Sequence, residues 1–125
     1  MTMDAPHVLV VEDEQDVSNL LSQHLRGLGC RVDVAATGEG GMERAFADPP
    51  DLAIVDILLP GIDGREVIRR LRADARTSGC RIAVFSVLDP QDLTDLAADA
   101  MLAKPFRRAA VAQLVDSFAR RSEED

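Results

Sequence analysis

The fold is decided by the stretch Asp51-Leu-Ala-Ile-Val-Asp-Ile-Leu-Leu-Pro-Gly-Ile-Asp-Gly64, which follows the helix breaker Asp48-Pro-Pro50. Residues 52–55 are uninterrupted apolar side chains, a pattern typical of a strand that is buried on both faces of a parallel sheet. The run ends in Asp56, and the Pro60–Gly64 segment has the composition of a loop. The stretch therefore predicts a buried strand with a carboxylate directly at its carboxyl end.

The same alternation of short apolar runs and amphipathic segments continues on both sides of this strand. Gly29 is placed to end the first helix, and Thr37 is placed to cap the second. An order of strand and helix repeated five times predicts an α/β fold, with an open parallel sheet covered by helices on both faces. The other predicted strands are His7–Val11, Arg31–Ala35, Ile82–Phe85 and Ala100–Ala103; the predicted helices are centred on Val17–Leu28, Gly38–Ala47, Val67–Leu71, Asp89–Ala98 and Val111–Phe118, with a polar tail from Arg120 to Asp125.

Size and charge restrict the functions that the chain can have. Its 125 residues predict a single domain, and 46% hydrophobic with 29% charged residues is ordinary for a globular protein. A net charge of −8 argues against direct binding of nucleic acid or of an anionic membrane. No apolar run approaches the roughly 20 residues of a membrane span, and Met1–Pro6 shows no secretory signal. With only two cysteines, we expect reduced thiols and a cytoplasmic location.

Polar side chains follow four of the predicted strands. Glu12 and Asp13 follow the first strand, and Asp56 ends the third strand. Ser86 follows the fourth strand, and Lys104 follows the fifth. In such sheets, ligands bind at the carboxyl ends of the strands, where these side chains would meet. Each taken alone has an ordinary interpretation, such as a solvated helix start, a loop cap, a strand-end hydroxyl or a surface lysine. The five together predict a site.

The chemistry of this set points to phosphoryl transfer. Two carboxylates about 5 Å apart repel each other by roughly 3 kcal/mol, which a divalent cation would offset. Oxygen ligands without paired His or Cys favour Mg²⁺ over zinc. Lys104 would add a positive charge and Ser86 a hydroxyl donor. Asp56 would be the nucleophile and become an aspartyl phosphate.

Four segments resemble the receiver domain of two-component response regulators over about residues 7–120. The resemblance implies a flavodoxin-like sheet of five parallel strands in the order 2-1-3-4-5. It also implies one receiver domain that spans residues 1–125, with flexible ends at residues 1–6 and 121–125. The segments are Val8-Leu-Val-Val-Glu-Asp-Glu14, Asp51–Gly64, Val84-Phe-Ser86 and Lys104-Pro-Phe106.

The family also implies a role for each residue of the set. Asp56 would accept a phosphoryl group from a histidine kinase or a phosphotransfer protein, so the chain would catalyse only its own phosphorylation and dephosphorylation. Glu12, Asp13, Asp56 and the backbone carbonyl of Leu58 would hold Mg²⁺. Ser86 and Lys104 would bind phosphoryl oxygens, and the Lys104–Pro105 peptide bond is expected to be cis.

The resemblance further implies an output face made of the fourth helix, the fifth strand and the fifth helix. Ser86 and the residue at position 101 would act as the switch, and the face would be read by a downstream protein or effector domain, or by a second copy of the chain.

Several positions depart from the family pattern. Met101 stands where an aromatic residue is usual, and Val87 where Ala or Gly is preferred. Ser86 and Lys104 are 104 − 86 = 18 positions apart, about one helical turn fewer than is common, so a short fourth helix is predicted. Leu58 and Leu88 cannot orient an attacking water, which predicts slow autodephosphorylation.

Two alternative functions remain open at this point. The departures at Met101 and Val87 favour a receiver-like interaction module that no longer takes phosphate, whereas the complete polar set opposes it. A Mg²⁺-dependent phosphohydrolase would use an Asp-x-Asp motif, but Asp56 is followed by Ile57 and Leu58. A chain of 125 residues also leaves no room for a substrate pocket.

Overall fold

A computed structural model of the chain describes residues 5–87 and 90–124. The described residues form one sheet of five parallel strands in the order 2-1-3-4-5, so the predicted fold class is confirmed. Each apolar run forms a strand because its side chains are covered on both faces of the sheet. The strands are β1 (His7–Val11), β2 (Arg31–Ala35), β3 (Leu52–Asp56), β4 (Arg81–Ser86) and β5 (Ala100–Ala103).

Helices cover the sheet on both faces, and the sheet separates the core into two layers. Along β1, Leu9 and Val11 belong to the layer beneath the second and third helices, whereas Val8 and Val10 belong to the layer beneath the first and last helices. This alternation follows from the period of two of a strand. The helices are α1 (Gln15–Gly27), α2 (Gly38–Ala47), α3 (Gly64–Ala73) and α4 (Arg108–Glu124).

Glycine allows α2 to lie close to the sheet. Thr37 caps this helix as predicted, because its side chain accepts a hydrogen bond from the backbone N–H of Gly40. A Cβ atom at Gly41 would stand 2.7 Å from a methyl group of Val11, so a larger residue would push the helix away from β1. The low helix propensity of the glycines is therefore offset by the close packing that they permit.

The helix predicted from Asp89 to Ala98 is wrong in extent. Asp89 and Leu88 lie outside the described residues, and from Pro90 onward there is only one 3-10 turn, Pro90–Leu93. Residues 94–99 are irregular and are anchored by α3: Arg65 donates to both carboxylate oxygens of Asp95, and Arg72 donates to the Ala97 carbonyl. We call residues 90–99 the β4–β5 connection. A segment this short gains little free energy from forming a helix, because the first turn restricts the backbone of several residues and forms few hydrogen bonds in return.

The last helix is longer than predicted, since α4 continues to Glu124 through the expected polar tail. The tail contains neither Gly nor Pro, so no residue in it interrupts the helix. Met1–Asp4 and Asp125 lie outside the described residues. Within the part of the chain that the structure describes, no helix combines the length and apolar character needed to cross a bilayer.

Candidate functional site

Lys104 joins two carboxylates at the carboxyl edge of the sheet. It directly follows β5, and its Nζ lies 2.5 Å from Oε1 of Glu12 after β1 and 2.9 Å from Oδ2 of Asp56 at the end of β3. These residues are 92 and 48 positions away from it in sequence. The parallel sheet brings the predicted residues together, because its strands all end at the same edge.

Three acidic residues at this edge could hold a metal ion. Glu12, Asp13 and Asp56 each offer a carboxylate oxygen, and these oxygens lie within 4.8 Å of one another. Glu12 and Asp56 are buried, whereas Asp13 is exposed, so the cluster opens to solvent on the side of Asp13. An all-oxygen donor set of this kind fits a hard divalent cation such as Mg²⁺.

The backbone around Asp56 orients its carboxylate. The N–H of Leu58 donates to Oδ1 of Asp56 at 3.0 Å, and Oδ2 is the oxygen that contacts Lys104. The side chain of Leu58 is 59% exposed beside this carboxylate. The predicted role of the Leu58 carbonyl as a metal ligand stays a prediction.

Ser86 ends β4 next to the lysine segment. It is buried, and its backbone carbonyl accepts a hydrogen bond from the backbone N–H of Lys104 at 2.9 Å, which ties the ends of β4 and β5 together. The Lys104–Pro105 peptide bond is cis, as expected. The neighbouring Val87 is 64% exposed. Met101 lies within β5 opposite Val84 and is half-buried against the core layer beneath α2 and α3.

Burial changes the proton affinities in the site. It raises the pKa of Glu12 to about 7, and a hydrogen bond with Asp56 adds to this effect, while Lys104 opposes it. Burial alone would lower the pKa of Lys104, but the hydrogen bonds to Glu12 and Asp56 outweigh it and raise that pKa overall. In the metal-free site the lysine therefore stays charged, and Glu12 takes up its proton at a higher pH than an ordinary glutamate does.

Two residues that support the site were not identified from the sequence. Gly64 begins α3 against the backbone of Asp56 and Ile57, where a Cβ atom would stand 2.1 Å from the carbonyl oxygen of Asp56. The ring of Phe85 lies under the lysine, with its centroid 4.4 Å from Nζ of Lys104. The need for glycine at position 64 could have been suspected, because Gly64 lies where a loop meets a helix. The contact of Phe85 with Lys104 could not, because nothing in the neighbouring sequence of this strand residue indicates it.

Comparison with known proteins agrees with this geometry. The family described as the response regulator receiver domain matches residues 8–116. The chain is 35% identical over 105 residues to the DNA-binding dual master transcriptional regulator RpaA of Synechocystis sp., covering 81% of this chain and 44% of the relative. It is 34% identical over 118 residues to the alkaline phosphatase synthesis transcriptional regulatory protein PhoP of Bacillus subtilis, covering 93% and 49%. The chain thus spans about half the length of the curated relatives it matches.

Solved structures share the fold. The receiver domain of a sensor histidine kinase from Pseudomonas aeruginosa, with a magnesium ion coordinated in its active-site cleft, has a TM-score of 0.85 at 26% identity, covering 91% of this chain and 97% of that one. A CheY-like receiver domain protein from Methanospirillum hungatei has a TM-score of 0.86 at 21% identity, covering 97% and 99%, which bears on the fold alone. The chain therefore belongs to the family of response regulator receiver domains, the phosphorylation-dependent signalling domains of two-component systems.

Proposed function

We propose that this chain accepts a phosphoryl group on Asp56 and uses it to change the surface that a partner protein binds. The observation that carries the proposal is the position of Lys104, whose ammonium contacts both Glu12 and Asp56. A buried nucleophile, a fixed positive charge and an open acidic cluster are the parts that phosphoryl transfer needs. The donor would be the phosphohistidine of a histidine kinase or of a phosphotransfer protein.

The acidic cluster would hold Mg²⁺ through Glu12, Asp13 and Asp56, with the Leu58 carbonyl as a further ligand. The all-oxygen donor set supports this assignment, as does the magnesium coordinated in the related Pseudomonas aeruginosa receiver domain. Bound Mg²⁺ would supply Lewis-acid stabilisation of the charge on the phosphoryl oxygens. The exposed position of Asp13 leaves the approach of a phosphate donor open on that side.

The transfer step uses a carboxylate as nucleophile. An oxygen of Asp56 forms a bond to phosphorus while the bond between phosphorus and the donor histidine nitrogen breaks. The bond pair stays on that nitrogen, which takes up a proton. Lys104 lies beside Asp56 already, so its charge stabilises the phosphoryl oxygens without reorganisation. The chain would thus promote its own phosphorylation and hydrolysis without acting on other substrates.

The phosphorylated site would signal through β4 and β5. The phosphoryl group adds a charge of about −1.5 to −2 at Asp56. Ser86 ends β4 at this edge, so its hydroxyl would be drawn toward the phosphoryl group, and Met101 in the neighbouring strand β5 would be the second switch residue. The surface that changes would include β5, the β4–β5 connection and α4.

A downstream protein or effector domain would read this surface, and a second copy of the chain is a further candidate. Regulators such as PhoP have about twice the length of this chain, which supports an output function outside it. The net charge of −8 supports a receiver that does not itself bind nucleic acid or a membrane. We propose a cytoplasmic location, where the kinase domain that would be its partner also lies.

Intact-mass spectrometry after incubation with acetyl phosphate and Mg²⁺ tests the proposal. We expect the mass to increase by one phosphoryl group, and the increase to disappear in Asp56→Asn or after chelation of Mg²⁺. Asp16→Asn, which removes an exposed carboxylate in the first turn of α1, is the matched control and should be phosphorylated normally. A chain that gains no phosphoryl group, or gains one in Asp56→Asn, would contradict the proposal.

A further inference from the structure

A second cluster of titratable side chains lies at the opposite edge of the sheet. His7 begins β1, Asp33 lies in β2 and Asp48 follows α2, and each offers one ligand atom within 4.8 Å of the others. Five positions along β1 separate His7 from Glu12, which corresponds to roughly 16 Å at about 3.3 Å per residue. The cluster is therefore separate from the phosphorylation site.

One nitrogen of this cluster is buried without a partner. The side chain of His7 is only 6% exposed, and its Nε2 lies 2.7 Å from Oδ2 of Asp33. Among the described residues, Nδ1 of His7 has no hydrogen-bond partner. The carboxylate of Asp33 accepts a hydrogen bond from Nε2, so in the neutral form of the ring the lone pair is on Nδ1. A buried polar atom left in this state costs free energy unless something binds it.

The unpartnered nitrogen faces a carboxylate at a distance that a metal ion could bridge. Nδ1 of His7 lies 3.9 Å from Oδ2 of Asp48, which is too far for a hydrogen bond. Bonds of about 2.0–2.2 Å from zinc to nitrogen and oxygen span at most about 4.2 Å. Asp48 is 60% exposed, so its side chain can close the remaining fraction of an ångström that a bent geometry requires.

The bond from His7 to Asp33 matches the environment of a metal-binding histidine. Such a histidine usually donates its other N–H to a carboxylate, which fixes the ring orientation and makes the ligating nitrogen more basic. We propose that His7 and Asp48 bind a divalent transition-metal ion such as Zn²⁺, with Asp33 orienting the imidazole. Imidazole and carboxylate together suit zinc better than Mg²⁺, and water would complete the coordination.

Arg31 competes for the same carboxylate. Its NH1 lies 3.4 Å from Oδ2 of Asp48, but both side chains are more than half exposed. An exposed ion pair of this kind contributes little and can give way to a bound cation. The proposal therefore predicts that removing the arginine charge strengthens zinc binding, whereas a merely structural role of the cluster predicts no such gain.

Zinc titration of the whole chain in millimolar Mg²⁺ tests the proposal, because Mg²⁺ would occupy the acidic cluster of Glu12, Asp13 and Asp56 and leave the His7 cluster to zinc. Isothermal calorimetry measures the affinity, and ¹⁵N-detected imidazole spectra identify the ligand. His24, which packs edge-on against Phe106, is the internal reference. We expect one zinc ion per chain and a shift of the His7 Nδ1 resonance, with His24 unchanged.

Variants at positions outside the buried core separate metal binding from folding. Asp48→Asn should weaken zinc binding at least tenfold, and Asp33→Asn should weaken it 10–100-fold as the loss of an orienting carboxylate does. Arg31→Gln should strengthen it several-fold, and Glu43→Gln, at an exposed position of α2, should leave it unchanged. The proposal is overturned if the His7 resonance does not respond to zinc. It is equally overturned if Asp48→Asn binds zinc as the wild-type chain does, which would indicate adventitious surface binding.

Discussion

The ammonium of Lys104 lies 2.9 Å from Oδ2 of Asp56 and also contacts Glu12, so a single positive charge is shared by two buried carboxylates. Lys104 is the only lysine in the sequence. Its charge favours the anionic phosphoryl group but opposes a divalent cation bound by the same carboxylates. Removing it should therefore change metal binding and phosphorylation in opposite directions.

Lys104→Gln should bind Mg²⁺ about tenfold more tightly and be phosphorylated by acetyl phosphate at least tenfold more slowly. Calorimetry measures the first change and time-resolved intact mass the second. Arg107→Gln removes one positive charge at an exposed position nearby and should alter neither quantity more than twofold. Weaker Mg²⁺ binding by Lys104→Gln would show that the lysine holds the carboxylates in place more than it repels the metal.

The raised pKa of Glu12 predicts pH-dependent magnesium binding. The metal must displace the proton that Glu12 holds below pH about 7, so the apparent Mg²⁺ affinity should fall about tenfold per pH unit below that value. Calorimetry between about pH 5.5 and 7.5 measures this slope. Glu12→Gln should bind more weakly overall but should lose the slope, and a slope that persists in this variant would assign the proton to another group.

The same shift predicts how the metal-free fold responds to pH. The pKa of Glu12 is raised from 4.5 to about 7 on folding, so between these values the folded chain binds more protons at this position than the unfolded chain. This group therefore makes the free energy of unfolding decrease as the pH rises from about 4.5 to 7. In urea titrations, Glu12→Gln should become more stable relative to wild type as the pH rises through this window, and a constant difference would contradict the assignment.

The close approach of Gly64 to Asp56 predicts a specific intolerance. Gly64→Ala would force a Cβ atom into the Asp56 carbonyl oxygen, so the start of α3 or the backbone at Asp56 and Ile57 must shift. We expect a loss of about 1–3 kcal/mol in the free energy of unfolding, together with slower phosphorylation. Gly79→Ala is the matched control, because nothing lies within 4 Å of a Cβ atom there. Equal stability of the two variants in urea denaturation would refute this explanation.

The apolar side chain of Leu58 predicts a long-lived phosphorylated state. Leu58 is 59% exposed beside Asp56 and cannot orient an attacking water, whereas an amide side chain could. Leu58→Asn should therefore speed the loss of the phosphoryl group several-fold, measured by intact mass after removal of the donor. Leu20→Asn replaces an exposed leucine on α1 and should not change this rate. A wild-type half-life of seconds would itself contradict the prediction.

Arg72 should contribute more to stability than other arginines of α3. Its guanidinium donates to the carbonyls of Ser78, Cys80 and Ala97 and to the carboxylate of Asp99, so it ties α3 to the segments on both sides of β4. Arg72→Gln should lower the free energy of unfolding by about 2 kcal/mol.

The control for this prediction is Arg69→Gln, which removes only an exposed ion pair with Glu66 on the same helix. Its cost in urea denaturation should be much smaller than that of Arg72→Gln, because exposed ion pairs contribute little to stability. If the two variants are equally stable, the β4–β5 connection does not depend on its contacts with α3.

Local patterns predicted most of the elements correctly. The apolar run of β3 and its end at Asp56 were predicted from sequence, because a strand that is buried on both faces consists almost entirely of apolar residues. The start of α2 was also predicted, since the capping bond of Thr37 spans only three residues. Features that depend on neighbours in sequence were therefore accessible without coordinates.

The β4–β5 connection shows where this approach ends. The pattern around Pro90 indicates a helix through Ala98, but the chain makes one turn and is then held by Arg65 and Arg72 of another helix. Those contacts join residues more than twenty positions apart. No local propensity records them, and they decide the conformation of the segment.

The sequence by itself determined which chemical groups stand at the ends of the strands, because each strand is recognised by its own residues and the parallel order gathers their ends at one edge. The tertiary structure alone decided how those groups are paired: Lys104 between Glu12 and Asp56, Gly64 against the Asp56 backbone, and His7 facing Asp48 at the opposite edge. These pairings depend on distances of a few ångströms between residues from separate elements. Such distances are set by how helices and strands pack together, which no single segment of the sequence specifies.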